Sequence, residues 1–436
     1  MTASALSSLG DELALIALTI KVADSSNSGW DVAALLLAGL LPLVIFAPAA
    51  GVIVDNFETT RTLAVATALQ AAFAVGLAFA HAQPVILLLA FLLGTGAAVA
   101  TPALYTLVPT VVGDAKATAA NAYLESARYA GMILGPLLAG TITFKDGSRR
   151  ALLVDAVTFV VIAISAMALV TRRHPEGSRD EDVRGEARAG LGIIRRDRLL
   201  LGVFTVFGAV VLFAAMDNVA EVFFARDTLQ ADGWGYGFLA SAWILGIVIG
   251  ASAIARRLRN ERLVPALLFA SVVGGIAVGA AALSSPSHPV VGELQLAALV
   301  FALVMFLVGG VANGVQSVSM RSLVVHRVED RFRGRAFAAY GGIANGMQLV
   351  AMAIGGALVV NVGGRTTLIV GAAGCAAAGL VGALWYATLP AAVRAMPPTA
   401  RDTDEVDVEI TVEVPVSGTL VRLPDSSPVD GSNVEI

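Results

Sequence analysis

The sequence predicts an all-α polytopic membrane protein of twelve transmembrane helices in two six-helix pseudo-repeats, and three observations carry that reading. First, the 436 residues are 57% hydrophobic and only 14% charged, against about 25% charged in soluble domains, and the mean hydropathy is +0.80. No water-soluble fold of this length hides so much apolar surface. Second, the apolar residues are gathered into stretches long enough for a hydrocarbon core of about 30 Å, which takes about 20 residues of helix. Third, the stretches fall six and six about a charged segment.

The first six run from Ala3 to Ala23, Val32 to Val54, Thr62 to Ala80, Val85 to Val112, Ala117 to Phe144 and Leu152 to Val170. The second six run from Leu199 to Phe224, Trp234 to Ala255, Leu263 to Leu283, Leu294 to Met320, Ala336 to Val362 and Thr366 to Leu389. Residues 1–170 thus form one bundle and 199–390 the other. The first span is the least typical, being rich in Ala and Ser in its leading half and without a basic anchor. Between the bundles, residues 171–198 intersperse arginines with carboxylates and read as a solvated linker containing amphipathic helix. No basic start with a small-residue cleavage site precedes the first span, so insertion through the chain's own helices is expected.

Charge orients the bundle. Alternate loops hold nineteen basic residues, eight of them in the linker, whereas the opposite loops hold six: Lys21, Lys145, Arg149, Arg150, Arg226 and Arg365. Basic residues near span ends stay on the cytoplasmic side. Both termini and the linker are therefore expected in the cytoplasm of a bacterial cell, with the spans in its inner membrane. From residue 391 the chain becomes a tail with a strong acidic excess, Asp402 to Glu435 against Arg394, Arg401 and Arg422. Val406, Val408 and Ile410 alternate with acids and allow a hairpin, but Pro415 and the net charge favour disorder.

Chemistry-bearing clusters of the usual enzymatic kinds do not emerge. Cys375 is the single cysteine, and His81, His174, His288 and His326 fall in four separate loops, so no metal site is expected. No nucleophile and base set, phosphate loop or basic nucleic-acid patch is present, which predicts neither an enzyme nor a nucleic-acid binder.

Ionisable groups inside spans are the informative residues, since each costs about 2.5 to 3.5 kcal/mol at the bilayer centre and so faces a cavity, pairs, or works. Asp11 and Glu12 sit halfway along the first span, Glu125 and Arg128 in the fifth, Asp217 and Glu221 in the seventh, and Asp155 in a shallower position in the sixth. Glu125 and Arg128 share a helix face that Gly131 and Gly135 continue, and this face is expected to look toward the other half. Arg128 either orients a cavity carboxylate, with Asp11 its first partner to test, or belongs to a buried structural ion pair. Asp217 and Glu221, with Asn218 beside them, form either an intramembrane acidic patch or a group near the outer surface. Asp11 and Glu221 are the first choices for a proton carrier, Asp217 and Asp155 are further candidates, and Glu125 is a poorer one if it pairs with Arg128. Asn313, Gln316, Asn345 and Gln348 either contact substrate or bond helix to helix.

Several short motifs occur in order. The first span carries Leu9-Gly10-Asp11 and then Ile16-Ala17-Leu18, the loop after the second carries Gly51, Asp55 and Arg61, the fourth ends in Pro102-Ala103-Leu104 and Val108-Pro109, and Gly334-Arg335-Ala336-Phe337 precedes the eleventh. Together they resemble the major facilitator superfamily, in the branch of macrolide-efflux and enterobactin-exporter-type proteins, from about Ser8 to Leu389. In the fifth span Gly131, Gly135-Pro136 and Gly140 resemble that family's antiporter motif, associated with exporters, or are ordinary small-residue packing. Asn56, Thr59 and Thr60 stand where the family's loop motif carries arginines, leaving Asp55 and Arg61 as its matching charges. The resemblance implies a monomeric secondary transporter with no cofactor but a proton gradient, exporting small amphipathic compounds by alternating access. A metabolite importer of the same fold and a non-transporting membrane sensor or degenerate paralogue are the alternatives.

Overall fold

The computed structural model describes residues 2–146, 148–169, 192, 194–284 and 293–394. Residues 1–396 pack as one compact unit. The acidic tail from Pro397 onward and most of the linker lie outside the described residues, as do the readings made of them.

In the first half, α1 (Thr2–Ser26), α2 (Gly29–Ile45), α3 (Ala47–Asn56), α4 (Thr59–Phe79), α5 (Gln83–Val112), α6 (Asp114–Asp146) and α7 (Ser148–Ala168) follow one another with short turns. The second predicted span is two helices rather than one. Pro42 lies inside α2, which ends at Ile45, and Pro48 stands in the first turn of α3. A ring without an N–H is tolerated only near a helix start, so the chain breaks and restarts.

The second half comprises α8 (Arg198–Ala214), α9 (Asp217–Phe223) continued by a π-helical turn over Phe224–Thr228, α10 (Asp232–Ile249) with a second π turn over Gly250–Ile254, α11 (Leu263–Ser284), α12 (Glu293–Arg327), α13 (Asp330–Thr388) and α14 (Ala391–Arg394). Helix α13 is 59 residues long and changes direction at Gly363, whose φ of 81° and ψ of 164° only glycine adopts readily. Its arms, 330–362 and 364–388, are the predicted eleventh and twelfth spans without an intervening loop. Among the described residues the path counts as twelve rods, α2 with α3 and α8 with α9 each making one. Eight helices are long and apolar enough to cross a membrane by length and composition, α13 being counted once. Helices α1, α2 and α6 are not among the eight, α2 being only 17 residues long.

Three boundaries differ from the sequence reading. His326 is not in a loop but in the last turn of α12, where its Nδ1 lies 2.7 Å from the Ser322 carbonyl. The tail begins later than residue 391, because α14 is helical and the Val393 carbonyl accepts from Arg327 at 3.1 Å. At the end of the linker, Asp197 accepts from the Leu199 and Leu200 amides at 2.8 and 3.1 Å and pairs with Arg327 at 2.7 Å. It thereby caps α8 and ties it to α12.

Core packing differs between the two ends of the unit. At the end remote from the linker, here the far end, one apolar core runs through both halves, joining Leu13 and Ile16 of α1 and Val32 of α2 to Val219, Phe223 and Phe224 and to Leu239 of α10. At the linker end each half keeps a core of its own. Leu63, Ala103 and Leu107 belong to the first, and Leu199, Leu267, Leu323 and Ala336 to the second.

Candidate functional site

The far end is closed by close helix approach. Helix α2 packs against α13 and α6 against α10. A methyl added at Gly29 would lie 2.7 Å from Val359 Cβ, one at Gly356 would lie 2.6 Å from Ala33 Cβ, and one at Gly364 would lie 2.8 Å from the Ala220 carbonyl. Ser241 of α10 donates to the Ile133 carbonyl of α6 at 2.8 Å. In contrast, a methyl added at Gly341, Gly342 or Gly346, in the linker-end part of the same arm of α13, would meet nothing within 4 Å. Asn345 is exposed there, Gln348 is half-buried, and Tyr123 of α6 is 70% exposed. The halves therefore enclose a cleft that opens toward the linker end.

Basic residues of the far end work as helix clamps. Lys21 donates to the Ala80 carbonyl at 2.7 Å, Arg226 to the Ala23 carbonyl at 2.9 Å, and Arg365 to the Ala282 carbonyl at 2.8 Å. Each carbonyl belongs to the last turn of a helix or the residue after it, where acceptors lack partners and the helix dipole favours a cation.

The intramembrane acids come together in two groups. In the first half, Arg128 of α6 lies within electrostatic reach of both Asp11 and Glu12 of α1, and Asp155 of α7 within reach of Asp11. Asp11 and Arg128 are exposed side chains, whereas Asp155 is buried and its Oδ1 lies 3.4 Å from the Thr158 hydroxyl. Charged groups do not face lipid when water is at hand, so the exposed pair belongs to the cleft. In the second half Asp217 Oδ1 and Glu221 Oε1 are both buried without a hydrogen-bond partner among the described residues. The seventh span breaks at Ala215 and Met216, between α8 and α9 and immediately before Asp217, a break with no Pro or Gly to announce it.

Tyr236 links the two groups. Buried at 7% exposure in α10, it lies within reach of Thr19 of α1 and of the carboxyl groups of both Glu12 and Glu221. The sequence reading passed it over, because one tyrosine in an apolar span has the look of ordinary core.

Other expected placements change. Gly131 and Gly135 do not face the opposing half but α1 of their own, since methyls there would lie 2.6 Å from the Leu9 amide nitrogen and 2.7 Å from Glu12 Cβ. Pro136 is buried within α6. Asn313 and Gln316 do not share the space of Asn345 and Gln348; they line a small cavity inside the second half, where Gln316 Nε2 donates to Ser271 Oγ at 3.1 Å. Asn218 is exposed and donates to the Ala215 carbonyl at 3.1 Å. Arg61 pairs at 2.9 Å with Glu58. The surroundings of Gly51, Asp55, Glu125 and Gly140 lie outside what is described. Among the described residues no three His, Cys, Asp or Glu side chains gather where they could hold a metal.

Known proteins are similar to this chain in sequence or in fold. A macrolide efflux protein A of Enterococcus faecalis is 24% identical over 228 residues, 49% of this chain and 70% of that protein. One of Streptococcus pyogenes is 26% identical over 229 residues, and the match covers 49% of this chain and 56% of that protein, little more than half its length. A lysophospholipid transporter of Serratia proteamaculans is 27% identical over 330 residues, 74% of this chain and 78% of that protein. Among solved structures, the nucleoside transporter NupG superposes with a TM-score of 0.72 at 13% identity over 88% of this chain and 97% of that one. A bacterial homologue of the iron transporter ferroportin, in an inward-facing state, gives 0.64 at 15% identity over 88% and 96%. These structures share the fold, and the sequence matches the family profile from residue 1 to 308. With two six-helix halves closed together at one end and parted at the other, this multi-pass membrane chain belongs to the Major Facilitator Superfamily.

Proposed function

We propose that the protein is a proton-driven exporter of small amphipathic compounds that works by alternating access. The carrying observation is the division of the core, shared by both halves at the far end and separate at the linker end. Rocking the halves about the cleft exchanges one closed end for the other. With nineteen basic residues on linker-side loops, that side is the cytoplasm of a bacterial inner membrane, both termini lie there, and the conformation is inward-open.

Glu12 and Glu221 belong to opposite halves, and each lies within electrostatic reach of Tyr236. A proton exchanged there changes the charge at the seam that must part for outward opening, which links protonation to the swing. Asp11, Asp155 and Arg128 are the cleft-side partners, and Asn345 and Gln348 meet solute. Export is favoured over import by the macrolide efflux relatives. Macrolides and lysophospholipids both join a polar to an apolar part, which suits an amphipathic cargo.

The test is efflux of a panel of amphipathic compounds from cells lacking their main exporters, with and without an uncoupler. Asp11→Asn and Glu221→Gln are expected to insert normally and to lose uncoupler-sensitive efflux. Wild-type efflux in both variants rules out proton coupling through these acids. Uptake rather than efflux in loaded proteoliposomes points to an importer, and no flux of any compound to a sensor.

A further inference from the structure

A second space exists apart from the cleft. Inside the second half, α8, α9, α10, α11, α12 and the far arm of α13 surround a cavity of about 30 Å³, room for one or two water-sized occupants. Most of its wall is small and apolar, and its polar members are Asp217, Ser271, Asn313 and Gln316, with Trp243 and Cys375 beside them.

The donors and acceptors of this wall leave a net surplus of oxygen. Asp217 Oδ1 is buried without a hydrogen-bond partner among the described residues, and the lining contains no Lys, Arg or His. The Gln316 amide N–H is taken by Ser271 Oγ, and the Ser271 hydroxyl donates to the Leu267 carbonyl at 2.8 Å. What remains is acceptor capacity on Ser271 Oγ and on the Gln316 carbonyl oxygen, and the second Gln316 N–H and the Asn313 amide are fewer donors than the acceptor sites of the wall. Helix α8 ends at Ala214, also on the wall. The Asn218 amide, whose regular helical acceptor would be the Ala214 carbonyl, bonds the Ala215 carbonyl instead at 3.3 Å. The carbonyl end of a helix carries partial negative charge, and unwound carbonyls of broken helices hold small cations in transporters. The titratable groups near Asp217 are Glu221 on α9 and Cys375 on α13, neither of which brings positive charge.

We infer that the cavity bounded by Asp217, Ser271, Asn313 and Gln316 is a buried site for one monovalent cation, either sodium or a hydrated proton, separate from the cleft. A single carboxylate surrounded by neutral oxygens balances one positive charge. Divalent calcium draws six to eight oxygens and usually more than one carboxylate, and does not fit.

Cys375 provides the readout, because it is the only thiol in the chain and lies on the wall. The full-length protein is alkylated with N-ethylmaleimide in rising sodium chloride, against choline chloride at equal ionic strength and fixed pH. Occupancy by sodium slows alkylation about ten-fold at ten times its dissociation constant, and Asp217→Asn removes the protection. The proton form instead leaves alkylation indifferent to sodium, and the thermal midpoint of wild type varies with pH in a way that Asp217→Asn abolishes. Gln316→Leu, which keeps the carboxylate, is expected to weaken the response without removing it, and it decides the matter if Asp217→Asn does not fold. A wild type with neither response, or a response unchanged in both variants, overturns the site.

Discussion

The guanidinium of Arg226, at the far end of the seventh rod, donates to the Ala23 carbonyl at the end of the first, 2.9 Å away and in the other half of the molecule. The same group reaches Asn27 and pairs with Asp227 at 2.6 Å and Asp24 at 3.6 Å. Its carboxylate partners are more than half exposed, so water screens them. The latch is assigned about 1 kcal/mol, roughly a five-fold bias toward this conformation. Arg226→Ala should shift the population toward far-end opening by that factor. Spin labels placed across the far end measure it by distance distribution, and an unchanged distribution rules the latch out.

Glycines along one arm of α13 predict opposite effects of one chemical change. Alanine at Gly356 meets Ala33 and cannot be accommodated while the far end is shut, whereas alanine at Gly346 meets open space. Gly356→Ala should expose the far end to a membrane-impermeant thiol reagent acting on a cysteine introduced there. Gly346→Ala should leave that end protected. Equal labelling of the two variants contradicts the packing difference.

Asp197 serves α8 as cap and α12 as anchor. Asp197→Ala removes both roles and should cost about 1 to 3 kcal/mol, because the pair is largely shielded and Leu199 and Leu200 lose an acceptor. Asp197→Asn keeps a side-chain oxygen for capping and should cost about half as much. Thermal unfolding in detergent ranks the three proteins, and the opposite order for the two variants refutes the double role.

Tyr236→Phe deletes one hydroxyl from the junction of Glu12, Glu221 and Thr19 while preserving the ring within the far-end core. Loss of about 1 kcal/mol of hydrogen bonding there should slow uncoupler-sensitive efflux roughly five-fold with normal insertion. A rate equal to wild type removes Tyr236 from the coupling.

The helices were legible because twenty apolar residues in succession have few other fates, and their six and six arrangement needed only counting. Their interruptions were harder to read. Ala215 and Met216 are ordinary helix formers, so that break comes from tertiary packing, and Gly363 is one glycine among 44. Which face of a span turns inward is poorly encoded when every face is apolar. Hence Asn313 and Gln316 stand out as polar anomalies while their place on a separate cavity of the second half is not encoded locally, and neither is the face that Gly131 and Gly135 turn to α1. That Glu12 and Glu221 both lie within electrostatic reach of Tyr236 relates positions remote in sequence, and no local pattern reports it.

The one-residue turn at Gly363 also bears on how the chain enters the bilayer. Two spans that reverse within a helix have no polar segment to hand across the membrane as a separate loop, so the arms of α13 insert together as a helical hairpin. A topology tag or protease site placed at this turn would unmake both arms at once, whereas the break between α10 and α11 offers several exposed positions for one.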